Sequence, residues 1–358
     1  MSHVLVQAVR PETSALPTTD GSIALINLDA QIYGRETNVR SDRATVEDEA
    51  ALIELITLRG LILGRVTDYE RAEECAERLS RDQPTSGAAF RARARTRATF
   101  HRFAEALDDL QVAELHLSQS GELSGERAAI FQALGRYDEA LVIRQETADV
   151  RPSFETLAAL AGLQAERGEI EIAEQLFLES RGRYCGVSPF PLALLNFQRG
   201  LMWMNYGGLD DARTSFEAAR RLIPRYAPAQ GHLAEVEAEL GDIDSAISRL
   251  FPLARSSEDP DYAAQLARIL LEAGRTEEAR DWSRWAGMAY DELVARHPLA
   301  FADHAAEFWL DVGNDPKKAL PLAKLNFENR KTPRAYDLLC RAAGANKVAD
   351  ASKLHAPH

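Results

Sequence analysis

Gly207-Gly208-Leu209-Asp210-Asp211-Ala212 is one of five near-copies of a short phrase: glycine, a polar position, an apolar residue, an acidic or polar residue, a variable position and alanine. The others are Gly135-Arg136-Tyr137-Asp138-Glu139-Ala140, Gly168-Glu169-Ile170-Glu171-Ile172-Ala173, Gly241-Asp242-Ile243-Asp244-Ser245-Ala246 and Gly274-Arg275-Thr276-Glu277-Glu278-Ala279. Weaker copies end at Ala72, Ala106 and Ala319, and the eight alanines step by 34, 34, 33, 39, 34, 33 and 40 residues. A period that holds at 33 or 34 across five of seven intervals is an internal repeat.

A second anchor stands twelve residues before each alanine: Gly60, Ala94, Ala128, Ala161, Gly200, Ala234, Ala267 and, in the last copy, Glu307. Two antiparallel helices cross closely only where the side chains at the contact are small. The glycine between the anchors suits a helix C-terminus that needs positive φ. The acidic residues after it suit the first turn of the next helix. Pro84, Pro152 and Pro224 follow their alanines by twelve residues, where the second helix must stop. The reading is eight helix pairs, at 53–86, 87–120, 121–154, 154–187, 193–226, 227–260, 260–293 and 300–333.

Two joints are irregular. The 39-residue step holds the Gly- and Pro-rich loop 181–191, and the 40-residue step predicts a second helix lengthened by about two turns over Trp282 to His297. Thr45-Val46-Glu47-Asp48 reads as a capping box. Ser22 to Tyr33 reads as a capping helix behind Asp20, in a segment 20–52 that precedes the array. Residues 1–19 read as disordered. A cap helix is expected from Arg334 to Ala343 with Gly344 ending it, in a C-terminal segment 334–358 that finishes as a basic tail.

The pattern resembles the tetratricopeptide repeat, a 34-residue helix–turn–helix with small residues in both helices and a closing proline. The best copy, 193–226, carries Gly200, Trp203, Gly207, Ala212, Phe216, Ala219 and Pro224 in the family's order. The likeness covers about 53–333; the whole chain is also similar to bacterial tetratricopeptide proteins of unassigned activity, through Pro333-Arg334-Ala335. It departs where Thr67 and His101 replace the turn glycine, at Glu307, and at Pro316. The resemblance implies an all-α, right-handed superhelical solenoid. It implies a non-catalytic scaffold that binds a peptide or helix of another protein in its concave groove. An accessory subunit, or a structural array that self-associates into a homo-oligomer, is the alternative. Arrays of this kind are expected to have nearly one-dimensional stability.

Charge and composition narrow the function classes. The net charge is −13, and the first 316 residues carry −19 while 317–358 carry +6. Phosphate affinity comes mainly from Lys and Arg, so a general nucleic-acid binder is not expected. Three widely spaced cysteines without C-x-x-C argue against a disulfide framework or zinc knuckle, and suit a reducing compartment. No stretch reaches a membrane span, and the N-terminus makes a poor secretory signal. The chain reads as cytoplasmic, or periplasmic if translation starts upstream. No nucleotide-binding, hydrolase or zinc-protease motif occurs, so no enzyme activity, cofactor or metal is expected.

Candidate partner-binding residues lie on the first helix of each pair, which by resemblance lines the concave face. The second pair offers Arg91, Arg95 and Arg102, which fall within ~40° on a helical wheel. Like charges at this spacing cost a few tenths of a kcal/mol per pair. A ligand carboxylate or phosphate would offset that; so would ion pairs with Glu70, Glu73, Glu74 and Glu77. The fifth pair offers an apolar stripe, Leu194, Phe197, Leu201 and Met204, with Gln198 and Asn205 beside it. Such a stripe suits an amphipathic helix or extended peptide, or packing against a neighbouring helix. The eighth pair offers a smaller stripe, Phe301, His304 and Phe308, with Glu307 near His304.

Overall fold

The structure is a computed structural model that describes residues 16–41, 43–116 and 123–354, those beyond 348 as backbone alone. Every regular element among the described residues is an α-helix. A capping helix, α1 (Gly21–Arg40), precedes eight antiparallel pairs. These are α2 (Val46–Leu63) with α3 (Val66–Asp82), α4 (Gly87–Thr99) with α5 (Phe103–His116), α6 (Ser124–Ala133) with α7 (Tyr137–Val150), and α8 (Phe154–Glu166) with α9 (Ile170–Gly182). There follow α10 (Pro189–Asn205) with α11 (Leu209–Leu222), α12 (Ala227–Glu239) with α13 (Ile243–Ser256), α14 (Asp261–Glu272) with α15 (Thr276–Arg296), and α16 (Pro298–Leu310) with α17 (Pro316–Asn329). A final helix, α18 (Pro333–Leu354), closes the array.

Local chemistry sets the boundaries. Gly135, Gly168, Gly207, Gly241 and Gly274 all have positive φ between the two helices of a pair. Where the phrase lacks glycine, the backbone finds a substitute. Gly64 takes φ +63 ahead of Thr67, while His101 and Asn314 take the left-handed turn themselves at φ 57 and 46. Small anchors are needed for contact: a Cβ on Gly200 would stand 2.5 Å from the Phe216 ring. Thr45 and Asp48 form the capping box of α2, and Asp20 accepts the amides of Ser22 and Ile23 at the start of α1. The lengthened second helix is α15, at 21 residues.

Two expectations are corrected. Helix α1 runs on to Arg40, because Leu25, Leu28 and Ile32 bury a stripe against α2 and the polar end simply continues it. Helix α18 passes through Gly344 to Leu354. An interior glycine costs ~1 kcal/mol, and burial of Leu338 and Ala342 against α17 anchors the helix on its N-terminal side. Of the segment 1–19, residues 1–15 lie outside the described residues; Thr19 donates its amide to the carbonyl of Val187.

In five of the seven steps along the array the first helices of successive pairs pack on one another: α2 with α4, α8 with α10, α10 with α12, α12 with α14, and α14 with α16. No two second helices pack to that extent among the described residues. In a curved double layer the closer-spaced layer is the inner one, so the first helices form the concave wall.

The array then winds back onto itself. The α2–α3 turn meets the α13–α14 joint, where Ser257 Oγ donates to the carbonyl of Gly64 at 2.9 Å. The α4–α5 turn meets the α15–α16 joint: the His101 imidazole bonds the carbonyl of Leu299 at 3.1 Å, and Phe100 stacks on His297 at 4.1 Å. The α6–α7 turn meets the α17–α18 joint, where Lys331 donates its amide to Leu134 at 3.1 Å. Three consecutive turns thus dock on three alternate joints along one seam. Behind it, α1 and α2 share a core with α10–α12, in which Ile56, Ile223 and Tyr226 are fully buried. Stability in this molecule is therefore not one-dimensional, since each early pair has a neighbour about 195 residues away.

Candidate interaction site

The concave wall carries a cavity of about 370 Å³ between α4, α5 and α6. Its walls are apolar: Ala94 and Ala98 from α4, Phe103 and Leu110 from α5, and Ala129, Ile130 and Ala133 from α6. Its polar edge is made by Arg95, Thr99, His101 and Glu126, with Arg330 reaching in from the seam.

Arg91 and Arg95 converge on one carboxylate. Arg91 Nε and Arg95 Nη2 both donate to Glu126 Oε1, at 2.6 and 2.7 Å, and Arg95 also bonds Glu54. Burial works against ionisation of Glu126, but Arg95 and Arg91 outweigh it and lower its pKa. Both arginines remain about a third exposed. Arg330 donates Nε to the carbonyl of Ala133 at 3.1 Å and Nη1 to Asp303 at 3.3 Å. Burial lowers the pKa of His101, which favours the neutral ring. Its Nδ1 faces a carbonyl and must carry the proton, leaving Nε2 as an acceptor.

Arg102 does not join this group. It follows the end of α4 at Thr99 and the left-handed residue His101, so the helical wheel that aligns it with Arg91 has already stopped. Its guanidinium grips Glu105 through two bonds of 2.7 and 2.5 Å and Glu73 at 2.6 Å. The neighbouring Arg93 and Arg97 hold the buried Asp109, at 2.6 and 2.9 Å, and Glu77. Of the α3 carboxylates, Glu77 thus serves the arginine helix and Glu73 the turn after it, while Glu70 goes to the seam, bonding His297 at 2.9 Å.

The apolar stripe of α10 divides. Phe197 packs on Tyr226, His232 and Phe216, with ring centroids 5.3, 5.5 and 5.7 Å away. Leu201 and Met204 pack on the core of Phe216, Leu233 and Val236. Asn205 is exposed at the helix end. Leu194 sits at the edge of a second concave cavity, of about 340 Å³, between α6, α8 and α10, with Gln198 beside it.

In the eighth pair, Phe301 is half-buried and Phe308 is packed on Tyr290 at 5.3 Å. His304 Nδ1 lies 3.8 Å from Asp261, and the carboxylate of Asp303, with Asp261 behind it, pushes its pKa up to about 10 against the effect of burial. Glu307 turns away to Arg334 at 2.9 Å and Arg341 at 3.4 Å. No group of three or more metal-ligating side chains occurs among the described residues. No described helix is long and apolar enough to cross a membrane.

Sequence reasoning missed Glu126, Ala129, Ile130 and Arg330. Glu126 was within reach, because it lies 35 and 31 residues from Arg91 and Arg95, one repeat period further on. Arg330 carried no such signal, since it enters across the seam.

A concave wall of first helices, with a left-handed turn in every pair and small residues at seven of the eight crossings, defines a tetratricopeptide-repeat solenoid. Among solved structures the chain is similar to a human IFIT1 dimer with m7Gppp-AAAA: TM-score 0.55, 15% identity, 92% of this chain and 78% of that one. A human IFIT1 dimer with PPP-AAAA gives 0.51 and 16%, over 80% and 73%. A tetratricopeptide repeat protein from Parabacteroides merdae matches less closely, at 0.43 and 15%, over 84% and 98%. At these identities the likeness to IFIT1 is one of fold. No protein-family model matches the chain, and no curated protein does.

Proposed function

We propose that this chain is a non-catalytic scaffold that holds a segment of a partner protein along its concave wall. The observation that carries the reading is the α4–α6 cavity, whose floor is apolar and whose rim carries partly exposed guanidinium groups. An apolar side chain of the partner would fill the cavity, and its backbone or a nearby acidic group would meet Arg91 and Arg95. Leu194, Gln198 and Asn205, further along the same wall, would extend the contact toward α10, while Phe197, Leu201 and Met204 support that stretch from below. Arg102 would contribute at the edge of the α4–α5 turn.

IFIT1 is solved with m7Gppp-AAAA and PPP-AAAA, so an oligonucleotide ligand is the second reading. The charge of −19 over the first 316 residues weighs against it. The test is affinity capture from a bacterial lysate with the full chain, Ala129→Trp and Arg95→Glu. Ala129 is exposed in the cavity wall, so an indole there fills the space without crowding the core. A protein captured by the wild-type chain and lost from both variants, at unchanged helicity, supports the scaffold. Equal capture by all three, or saturable salt-sensitive binding of a capped oligonucleotide, overturns it.

A further inference from the structure

Most arginines on the concave wall have a carboxylate of their own. Arg144, which reaches a cavity of this wall from the second helix α7, does not. It lines the 340 Å³ cavity between α6, α8 and α10. Its Nη2 donates to Gln132 Oε1 at 2.8 Å, and Gln132 Nε2 in turn donates to Glu166 at 2.6 Å. No carboxylate lies within ion-pair distance of Arg144 among the described residues, and its Nε is sealed from solvent without an acceptor. Glu155 shares the cavity rim, but its carboxylate accepts from Ser153 Oγ at 2.9 Å and makes no ion pair with Arg144.

A half-buried guanidinium that no carboxylate touches is costly to maintain. Burial lowers the pKa of Arg144 and raises that of Glu166, and in each case it outweighs the attraction between the two charges. The sides of the cavity are largely apolar. Phe154, Ala158, Pro191 and Leu195 form its sides, and at Gly162 an added Cβ would meet only Gln198, at 3.8 Å. The site therefore combines one cation that no carboxylate touches with a space of side-chain size, on the wall already read as the partner-binding face.

We infer that this cavity is a receptor for an acidic side chain, Asp or Glu, flanked by an apolar residue in an extended segment of a partner protein. The carboxylate would complete the guanidinium of Arg144, and the apolar neighbour would lie against Phe154 and Leu195 in the space that Gly162 leaves free. This deepens the reading of the concave wall as a partner-binding face and specifies what the partner carries.

The test needs no identified partner. The probes are two blocked peptides, N-acetyl-Phe-Glu-Phe-amide and its glutamine counterpart, which have the same shape and differ by one charge. Binding to the full chain is read by calorimetry and by the arginine Nε–Hε resonances. The glutamate peptide is expected to bind about tenfold or more tightly than the glutamine peptide and to shift the Arg144 resonance. Arg144→Gln should erase the difference between the two peptides, and Gly162→Leu should weaken both by filling the cavity. Thermal melting of both variants checks that they fold, and the comparison of peptides on the wild-type chain stands even if one does not. Equal binding of the two peptides, no saturable binding of either, or inorganic phosphate competing as strongly as the glutamate peptide would overturn the assignment. Because Ala129 and Arg95 lie in the other cavity, peptide binding that survives Ala129→Trp separates failure of this site from failure of the scaffold reading.

Discussion

Thr67 and Glu258 stand 191 residues apart and are joined twice: the amide of Thr67 donates to one carboxylate oxygen of Glu258 at 2.7 Å, and its hydroxyl to the other at 2.9 Å. Thr67 aligns in sequence with the turn glycine of most other pairs but lies in the first turn of α3, three residues after Gly64. Its side chain fastens the second gyre of the array to the first.

Glu258→Ala should therefore cost about 1–2 kcal/mol, and its effect should appear in two places. Hydrogen exchange should quicken both around the α2–α3 turn and around the α13–α14 joint. If only residues near 258 respond, the seam does not couple the gyres. By the same logic, deleting 300–358 removes the joint that covers Gly135, so protection should fall in α6 and α7 as well as at the new C-terminus.

Two turn glycines give a matched comparison. Gly135 and Gly274 both have positive φ, at +83 and +75. Replacing either by alanine costs about 1–2 kcal/mol in backbone strain. At Gly274 the new Cβ meets open space, whereas at Gly135 it would stand 2.5 Å from the carbonyl oxygen of Lys331. Gly135→Ala should lower the melting temperature clearly more than Gly274→Ala. Equal losses would mean that the seam yields without cost.

Phe197→Ala should destabilise by about 2–4 kcal/mol, the range for a large side chain cut out of a packed cluster, because the ring touches Tyr226, Phe216 and His232. Chemical denaturation measures it. A variant with wild-type stability would show that the ring packs loosely and is free for a partner.

His304 gives the pH dependence. Asp303 foremost, then Asp261, holds the imidazole protonated and raises its pKa to about 10. A group raised in the folded state contributes its stability in full below its ordinary value of ~6.5 and loses it as pH climbs through the folded value. The side chain is 44% exposed, so water screens the effect and it should be modest. The melting temperature should fall between pH 7 and 10, and His304→Gln should flatten that fall. A wild-type profile matching that of the variant would show that His304 titrates normally.

The fold was legible because its rules are local. A glycine that must take positive φ, an alanine that must fit a crossing and a proline that must end a helix all announce themselves within one period. The site was half legible. Arg91 and Arg95 stand out in sequence, yet the carboxylate that organises them, Glu126, sits on the next first helix rather than the preceding second one. Arg102 falls outside the group because a helical wheel cannot foresee the break at Thr99. Arg330, Glu258 and His297 were out of reach, since no feature of a 34-residue period reports a contact some 195 residues away. Phe197 shows the remaining ambiguity: an apolar residue on a first helix reads the same whether it faces a partner or the core it shares with α12.

The seam also changes how the molecule should respond to force. An open superhelix is a soft spring, because extending it only tilts each pair slightly against the next. Here the coils are clipped together by Thr67 to Glu258, Glu70 to His297 and Leu134 to Lys331. Pulled from its ends, the chain should resist stiffly until those clips part, then lengthen at low load while every helix stays intact.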